Sequence, residues 1–426
     1  MREDLLHHLW KFRNFRSQVH CSSTGEQLEV IHPGVHNHDA GPDFFNARIR
    51  IDNIVWAGNV ELHVKSSDWV AHGHCSDRAY DNVILHVVYD DDKPEKLMDA
   101  AFSTLEIKKV MDPRVVDKYD ALIEHQKFVP CAQLLDNSIV TSVLINSYME
   151  RLFVEKLEYK CNLILDLLRA NNGNWERTFY TLVARSFGLG TNRLPFELLL
   201  ASIPSILTVR DLQNIEQVEA LFFGQAGFLS GTPSDQYASR LQAHYDKLRP
   251  AFQLHAISEY LWKFSRLRPG NFPTLRIAQL AAFLYQDPIL FKDIVQTKDL
   301  RCIVEWFRVE ASDYWAVHSK FGKSSVERST RIGDATIDSI IINAVLPTIF
   351  AYGKVTGQPK LAERSIELMQ ELRGETNKIV SAWQNLGFSI DSALKSQALL
   401  HLKKAYCDHK KCLSCTIGTV ILKQST

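Results

Sequence analysis

Residues 43–65 read Asp-Phe-Phe-Asn-Ala-Arg-Ile-Arg-Ile-Asp-Asn-Ile-Val-Trp-Ala-Gly-Asn-Val-Glu-Leu-His-Val-Lys, and this stretch decides the fold of the N-terminal part of the chain. Two β-branched runs, Phe44 to Ile51 and Ile54 to Val64, are separated by the turn residues Asp52-Asn53. Short, partly alternating runs between turn signals are typical of β-strands. The stretch therefore predicts two neighbouring strands that can pair as a hairpin.

The strand pattern continues outward on both sides and then stops. Further strands are predicted at Leu28–Ile31, Val83–Tyr89 and Leu105–Val110, and helices at residues 1–12 and near Cys75–Tyr80. From Asp112 onward the apolar residues recur at helical spacing and strand signals nearly vanish. The expected fold is α+β: a small, mostly antiparallel β-sheet head with flanking helices, followed by a large all-α body. We expect a head at 1–115, a helical body at 116–400 and a cysteine-containing terminal segment at 401–426.

Composition restricts the class of protein. The 426 residues are 46% hydrophobic and 23% charged, and 49 Lys and Arg balance 49 Asp and Glu. This neutrality argues against sequence-independent coating of nucleic acid, although it allows a local basic groove. The N-terminus lacks a signal peptide, the apolar run Ile340 to Ala351 is interrupted by Asn343 and Pro347, and the eight cysteines form no disulfide framework. We therefore expect a cytoplasmic protein with reduced cysteines and no membrane contact.

A candidate site lies in the head, where ten of the sixteen histidines fall within the first 86 residues. Glu61, His63 and Lys65 alternate along a predicted strand, so their side chains share one face. Asp43 follows a Gly-Pro turn at the start of the preceding strand. A hairpin would bring Asp43 and Glu61 together, and paired carboxylates of this kind bind Mg²⁺ or Mn²⁺ and allow a neighbouring base to activate water.

These residues resemble the PD-(D/E)xK nuclease pattern, in which an Asp and a following acidic residue bind Mg²⁺ and a Lys two positions later assists the attacking water. Asp43 and Glu61 match that pattern, whereas His63 stands at the lysine position and Lys65 lies one strand repeat further. The resemblance implies a metal-dependent, nuclease-like hydrolase acting on nucleic acid, with Asp43, Glu61, His63 and Lys65 as its catalytic residues. It also implies that His63→Lys would retain or raise activity.

Three other interpretations of the head remain open. In the first, Asp43 caps a turn while Glu61 and His63 lie on a solvent-exposed face. In the second, the protein is a His-based hydrolase whose Zn²⁺ or Mn²⁺ is held by His36, His38, His72 and His74. In the third, the head is a degenerate nuclease-like domain, and the protein is a non-catalytic binding or scaffold protein. The sequence leaves its oligomeric state undetermined.

The helical body contains one candidate substrate contact. Arg266, Arg268 and Arg276 surround a Pro-Gly turn, and guanidinium groups bind two phosphate oxygens at once. The alternative is that these arginines cap helix ends or pair with acidic residues inside the body.

The C-terminal segment contains Cys407, Cys412 and Cys415 in a C-x4-C-x2-C arrangement. Thiolates at this spacing can share a Zn²⁺ ion or an iron–sulfur cluster, and ferredoxins use similar spacings. Around one Zn²⁺ the sulfurs would lie within about 4 Å of each other. His409 or His401 is the candidate fourth ligand. The alternative is three packed thiols in a short terminal hairpin leading into residues 416–422.

The chain as a whole also resembles an uncharacterised bacterial family of unknown function. The matching segments are spread from the head to the C-terminus. They include residues 37–44, 58–61, 72–74, 80–88, 223–229 and 268–273, together with the terminal cysteine segment. This resemblance indicates a family and implies no particular activity.

Overall fold

A seven-stranded sheet organises the N-terminal part of the protein, which is described here from a computed structural model. The described residues are 1–93, 102–124, 128–135, 142–204, 212–286 and 290–423. The strands are β1 (Val19–Cys21), β2 (Gln27–His32), β3 (Val35–His36), β4 (Phe44–Ile51), β5 (Ile54–Lys65), β6 (Val83–Asp90) and β7 (Ser103–Glu106). Their order is β1-β2-β4-β5-β6-β7, and β3 pairs with the start of β4.

The predicted hairpin is confirmed, but the sheet is mixed and larger than expected. β4 and β5 pair antiparallel, with Ile51 opposite Ile54. β6 instead runs parallel to both β5 and β7. The expectation of a small, mostly antiparallel sheet was therefore wrong. The sequence signal is the stretch from Val83 to Val88, which is apolar except for His86 and buried at every position, as is typical of parallel strands covered on both faces.

The first helix, α1 (Glu3–Lys11), packs against this sheet. Its apolar face of Leu5, Leu6, Leu9 and Trp10 is buried, as the periodicity predicts. The Trp10 indole N–H donates to the carbonyl of Pro33 at 2.9 Å, which ties the helix to the turn before β3. Helix α1 is thereby held close to the start of β4, where Asp43 lies.

The connection from β5 to β6 carries several residues of the candidate site. It contains the short helix α2 (Asp68–Ala71) and two single 3-10 turns, His74–Ser76 and Arg78–Tyr80. The helix predicted near Cys75–Tyr80 is thus split in two. Gly73 has φ +77° and Asp77 is extended, so the chain cannot continue as one helix. This crossover lets β6 run parallel to β5.

The rest of the described chain is mainly helical, which confirms the helical body. Helices α3 to α11 are Arg114–Glu124, Ser142–Ala170, Trp175–Phe187, Arg193–Ala201, Ile215–Gln225, Gln236–Ala251, Pro273–Gln286, Leu290–Gln296 and Leu300–Trp306. Helices α12 to α18 are Tyr314–Val317, Asp334–Ile340, Leu346–Val355, Pro359–Glu371, Lys378–Gln384, Ala393–His401 and Thr416–Lys423. One two-stranded ribbon, β8 (His318–Lys320) and β9 (Lys323–Ser324), interrupts them.

The stretch Asp334–Val355 is long and apolar enough to cross a membrane by length and composition. Most of it is buried inside the protein, as it would be in a core helix. A π-helical turn at Ile341–Val345 divides the stretch just before Pro347. Proline has no backbone N–H to donate to the preceding turn, so regular helical pairing is lost at this point.

The chain divides into two compact units. The first comprises residues 1–148, 382–388 and 401–426, and the second comprises residues 149–381 and 389–400. The C-terminal segment therefore belongs to the same unit as the sheet. Its last described element is the helix α18, so the alternative of a terminal hairpin was wrong.

Candidate metal centre

Asp43 and Glu61 are adjacent because β4 and β5 form a hairpin with an irregular start. The pairing register shifts between Phe44 and Ala47, and Asn46 has φ +56°. A bulge of this kind changes the direction in which the neighbouring side chains point. The backbone N–H of Asp43 donates to Glu61 Oε2 at 3.0 Å, and the N–H of Leu62 donates to Asp43 Oδ2 at 2.9 Å. The two acidic residues predicted from the sequence therefore occupy one location.

Two histidines lie beside the remaining oxygen of Glu61, and a third lies beside one of them. Glu61 Oε1 lies 3.4 Å from His74 Nε2 and 3.6 Å from His63 Nε2. His63 Nε2 in turn lies 3.1 Å from His72 Nδ1. One ligand nitrogen from each of the three histidines lies within 4.8 Å of the others. We call Glu61, His63, His72 and His74 the histidine centre.

These spacings fit the coordination sphere of one metal ion. Bonds of about 2.1 Å place neighbouring donor atoms about 3.0 to 3.4 Å apart in octahedral or tetrahedral geometry. The separations of 3.1, 3.4 and 3.6 Å are close to that range. His74 Nε2 is also buried and makes no hydrogen bond, and a buried polar atom without a partner is costly. A cation between these atoms would remove that cost.

A second layer of side chains orients the histidines. His63 Nδ1 lies 2.9 Å from His86 Nε2, and His86 is fully buried. The ring of His74 stacks on Tyr80 with centroids 3.8 Å apart, and Trp69 packs against the same imidazole at 5.3 Å. Metal-ligating histidines usually bond through their second ring nitrogen, which sets the tautomer that faces the ion. His63 meets this requirement through His86.

Burial sets the charge of the histidine centre. Desolvation, followed by the neighbouring His74 and His72, lowers the pKa of His63 to about 4. Burial likewise lowers the pKa of His74. Near neutral pH both imidazoles are therefore uncharged, which is the form that binds metal ions. Burial and then the charge of Asp43 raise the pKa of Glu61 to about 8, and a bound cation would oppose that effect.

A different group of histidines surrounds Asp43 on its other side. His7 Nε2, on α1, lies 3.2 Å from Asp43 Oδ2. Burial lowers the pKa of His7, but the bond to Asp43 and the charges of Asp43, Glu3 and Asp4 outweigh it and raise the pKa overall. The rings of His36 and His38 lie 4.3 Å apart, and His36 stacks on Phe44 at 4.7 Å.

The alternative set His36, His38, His72 and His74 is thus divided between two places. His72 and His74 join His63, whereas His36 neighbours His7 and Phe44. In the described part of the chain, the three histidines of the histidine centre are the one group that brings three ligand atoms within 4.8 Å. The sequence pattern did not indicate His63 as a metal ligand, nor any role for His7, His86 or Tyr80. The high number of histidines in the first 86 residues was the sequence feature that could have indicated the histidines among them.

Lys65 and the arginines are placed differently. Lys65 is exposed, and its backbone N–H donates to Asp68. Among the described residues, no hydrogen bond or ion pair joins its side chain to Asp43 or Glu61. Arg276 is buried and donates to Gln279, Asn271 and Thr336 at 2.7 to 3.0 Å, and burial lowers its pKa to about 10. This environment agrees with the structural alternative for Arg276, while Arg266 and Arg268 are exposed.

The C-terminal cysteines line one small pocket together with a fourth cysteine, Cys131, which no sequence motif indicated. Cys407, Cys412, Cys415 and Cys131 share this pocket, which we call the cysteine pocket. No three of the described cysteine sulfurs lie within 4.8 Å of one another. The close arrangement expected around a single Zn²⁺ is therefore not observed. His409, one candidate fourth ligand, is exposed.

Comparison with known proteins identifies one family. The model of a family described as "Protein of unknown function (DUF2851)" matches residues 3–378. No curated protein and no solved structure matches the chain.

Proposed function

The chain belongs to the DUF2851 family, and we propose from the histidine centre that it is a metal-dependent hydrolase of phosphodiester bonds in nucleic acid. One observation carries the proposal: three imidazole nitrogens lie within 4.8 Å of one another, two of these histidines lie 3.4 and 3.6 Å from Glu61 Oε1, and a second carboxylate, Asp43, is directly beside Glu61. Structural metal sites are usually closed by their own ligands, whereas hydrolytic sites keep an acid–base group next to the ion.

The donor set indicates which ion is bound. Imidazole nitrogen suits Zn²⁺ and Mn²⁺, whereas Mg²⁺ prefers carboxylates, waters and phosphate oxygens. With three histidines and Glu61 as ligands, Zn²⁺ or Mn²⁺ fits better than the Mg²⁺ that the nuclease pattern implies. The ion would polarise a phosphoryl oxygen and lower the pKa of water near it.

Asp43 and His7 supply the acid–base chemistry beside this ion. The Leu62 N–H orients the Asp43 carboxylate at 2.9 Å, so Asp43 is placed to accept a proton from an attacking water. His7 lies 3.2 Å from the same carboxylate, and its raised pKa favours the charged form. A protonated His7 can hold an anionic phosphate and return a proton to the leaving oxygen.

The charge balance and the hairpin together support a phosphodiester substrate. A divalent ion beside the neutral His63 and His74, with a cationic His7 nearby, attracts an anionic ester more strongly than a neutral one. The paired carboxylates, Asp43 immediately before β4 and Glu61 on β5, also match the acidic positions of the PD-(D/E)xK pattern. In this proposal His63 is a metal ligand in place of that pattern's catalytic lysine.

The test is a cleavage assay coupled to metal analysis. Purified protein is loaded with Zn²⁺, Mn²⁺ or Mg²⁺ and given single- and double-stranded DNA, RNA and bis-p-nitrophenyl phosphate. We expect hydrolysis with Zn²⁺ or Mn²⁺. Asp43→Asn should abolish it while metal binding and folding persist, because Asp43 lies outside the histidine centre. Asp39→Asn, an exposed neighbour in the same loop, is the matched control and should retain full activity.

Two results would refute the proposal. Failure of the protein to bind any of the three ions would leave the non-catalytic interpretation of the head. Metal binding with hydrolysis of carboxylic esters but of no phosphodiester would reject the substrate class while keeping the metal centre.

A further inference from the structure

The cysteine pocket is built from two chain segments that are far apart in the sequence. Cys131 lies in a turn after α3, where the Leu134 N–H donates to its carbonyl at 3.0 Å. The other three cysteines lie between α17 and α18, in a π-helical segment that ends at Cys407 and a 3-10 turn at Cys412–Ser414. Both segments belong to the first structural unit. Cys131 and Cys415 are buried, while Cys407 and Cys412 are half-buried at the rim.

All six pairs of these thiols interact. The charge that any one thiolate would carry acts on each of the others. Burial, followed by this repulsion, raises the pKa of Cys407 to about 12 and that of Cys412 to about 11, and raises the pKa of Cys131 as well. Four thiols that line one pocket, two buried and two half-buried, are either an unreactive apolar cluster or the ligands of a cationic centre.

Their separation argues for a centre larger than one ion. Four thiolates around a single Zn²⁺ would place their sulfurs roughly 3.8 Å apart, from bonds of about 2.3 Å. No three of these sulfurs are within 4.8 Å of one another. In an iron–sulfur cluster the four cysteines bind at least two different iron atoms, and their sulfurs stand further apart. We propose that the cysteine pocket binds an iron–sulfur cluster and that Cys131 is its fourth ligand.

The surroundings of the pocket suit such a cluster. Trp383, Leu122 and Leu402 line it with apolar surface, which excludes water. The Tyr148 hydroxyl donates to Cys415 Sγ at 3.2 Å, and hydrogen bonds to ligand sulfurs stabilise the thiolate and adjust the reduction potential. Lys403 and Lys410 lie near Cys407 and Cys412 and favour their ionised forms.

The close packing of α18 fixes the loop that carries these ligands. A Cβ at Gly418 would lie 2.2 Å from the carbonyl oxygen of Cys412, so only glycine permits this approach. The cluster would join the turn after α3 to the C-terminal segment. It would therefore anchor the C-terminal segment within the unit that also contains the histidine centre.

The test begins with full-length wild-type protein purified without oxygen and, in parallel, reconstituted with ferrous iron and sulfide. We expect at least about two iron and two acid-labile sulfide per chain, with visible absorbance that bleaches on reduction. Cys131→Ser should lower bound iron and sulfide by about tenfold or more, as should Cys412→Ser. Cys161→Ser is the matched control, since Cys161 is buried in α4 of the other unit, and it should keep the wild-type content.

A measurement on the wild-type protein tests the inference without a substitution that could prevent folding. Alkylation of native wild-type protein should spare Cys407 and Cys412 while the cluster is bound and modify both after iron is removed by chelation. His74→Ala, which removes a ligand of the histidine centre, should leave iron and sulfide unchanged, so loss of one centre is distinguishable from loss of the other.

Three outcomes would overturn the inference. One is stoichiometric zinc at these cysteines with no iron or sulfide. Another is reconstituted protein that holds neither metal. The third is a folded Cys131→Ser protein with wild-type iron content, which would exclude Cys131 as the fourth ligand.

Discussion

The histidine centre and the cysteine pocket belong to the same structural unit, yet they differ in the spacing and the protonation state of their candidate ligands. In the histidine centre, donor atoms lie 3.1 to 3.6 Å apart, and the lowered pKa values of His63 and His74 leave both imidazoles neutral. In the cysteine pocket, no three sulfurs lie within 4.8 Å of one another, and the raised pKa values of Cys407 and Cys412 keep these thiols protonated. The first site already presents neutral imidazoles to an ion, whereas the thiols of the second would have to lose protons before they could bind a metal.

This difference follows from how each site is built. The histidine centre is contained in residues 61–74, on one strand and the turns that follow it, and the sheet and Trp69 hold these residues in place. The cysteine pocket depends on a turn meeting a loop from the opposite end of the chain. Preorganised ligands lose little conformational freedom on binding, while the distant segments of the pocket would gain order from a bound cofactor.

The largest expected effect tests whether the histidine centre is a metal site or a modified nuclease motif. His63→Lys should weaken Zn²⁺ or Mn²⁺ binding by at least about 100-fold, because it replaces a neutral ligand with a cation. The PD-(D/E)xK resemblance implies the opposite, with activity retained or raised. Calorimetric titration and the cleavage assay measure both properties on the same protein.

His38→Lys is the control for this substitution, since His38 is exposed and lies beside His36 and not in the histidine centre. It should bind metal like the wild type. An active His63→Lys protein would show that the position serves the role of the catalytic lysine and that the proposed ligand set is wrong.

A second prediction concerns the pH dependence of metal binding at the histidine centre and the number of protons released there. Because the pKa of Glu61 is raised to about 8, this ligand is protonated at neutral pH in the metal-free protein. Ion binding then expels one proton, so affinity should rise by up to about tenfold per pH unit as pH increases toward 8, and level off above it. Glu61→Gln should bind more weakly and lose this slope.

Titrations at pH 6, 7 and 8, in buffers with different heats of ionisation, give the number of protons released. His63 contributes little in this window, since its pKa is about 4. Release of two or more protons on ion binding would contradict the inference that His63 and His74 are already neutral in the metal-free histidine centre.

The smallest predicted effect concerns packing at the cysteine pocket. Gly418→Ala should reduce the free energy of unfolding by about 2 kcal/mol, because the added methyl meets the Cys412 carbonyl and the loop must shift. Urea unfolding measures the loss, and metal affinity at the histidine centre should not change. Gly190→Ala is the control, since a Cβ there meets no atom within 4 Å. Equal stability of the two variants would mean that α18 does not constrain the loop.

Much of the local structure could be predicted from the sequence. The strands at residues 44–51 and 54–65 follow from β-branched runs on either side of Asp52-Asn53, and α1 follows from four apolar residues at helical spacing. The hairpin placed Asp43 beside Glu61, because strand pairing across a short turn is a local property. The parallel pairing of β6 was missed, since it depends on the path of the crossover through residues 66–82.

The sequence by itself determined the β4–β5 hairpin, helix α1 and the helical character of the body, together with the pairing of Asp43 with Glu61 and the presence of many potential ligands in the head. These features depend on residue periodicity and on neighbours a few positions away. Only the tertiary structure decided which histidines face one another, that Arg276 is buried, and that Cys131 meets the C-terminal cysteines. Contacts between distant segments arise from the packing of whole elements, and no local pattern of residue types records that packing.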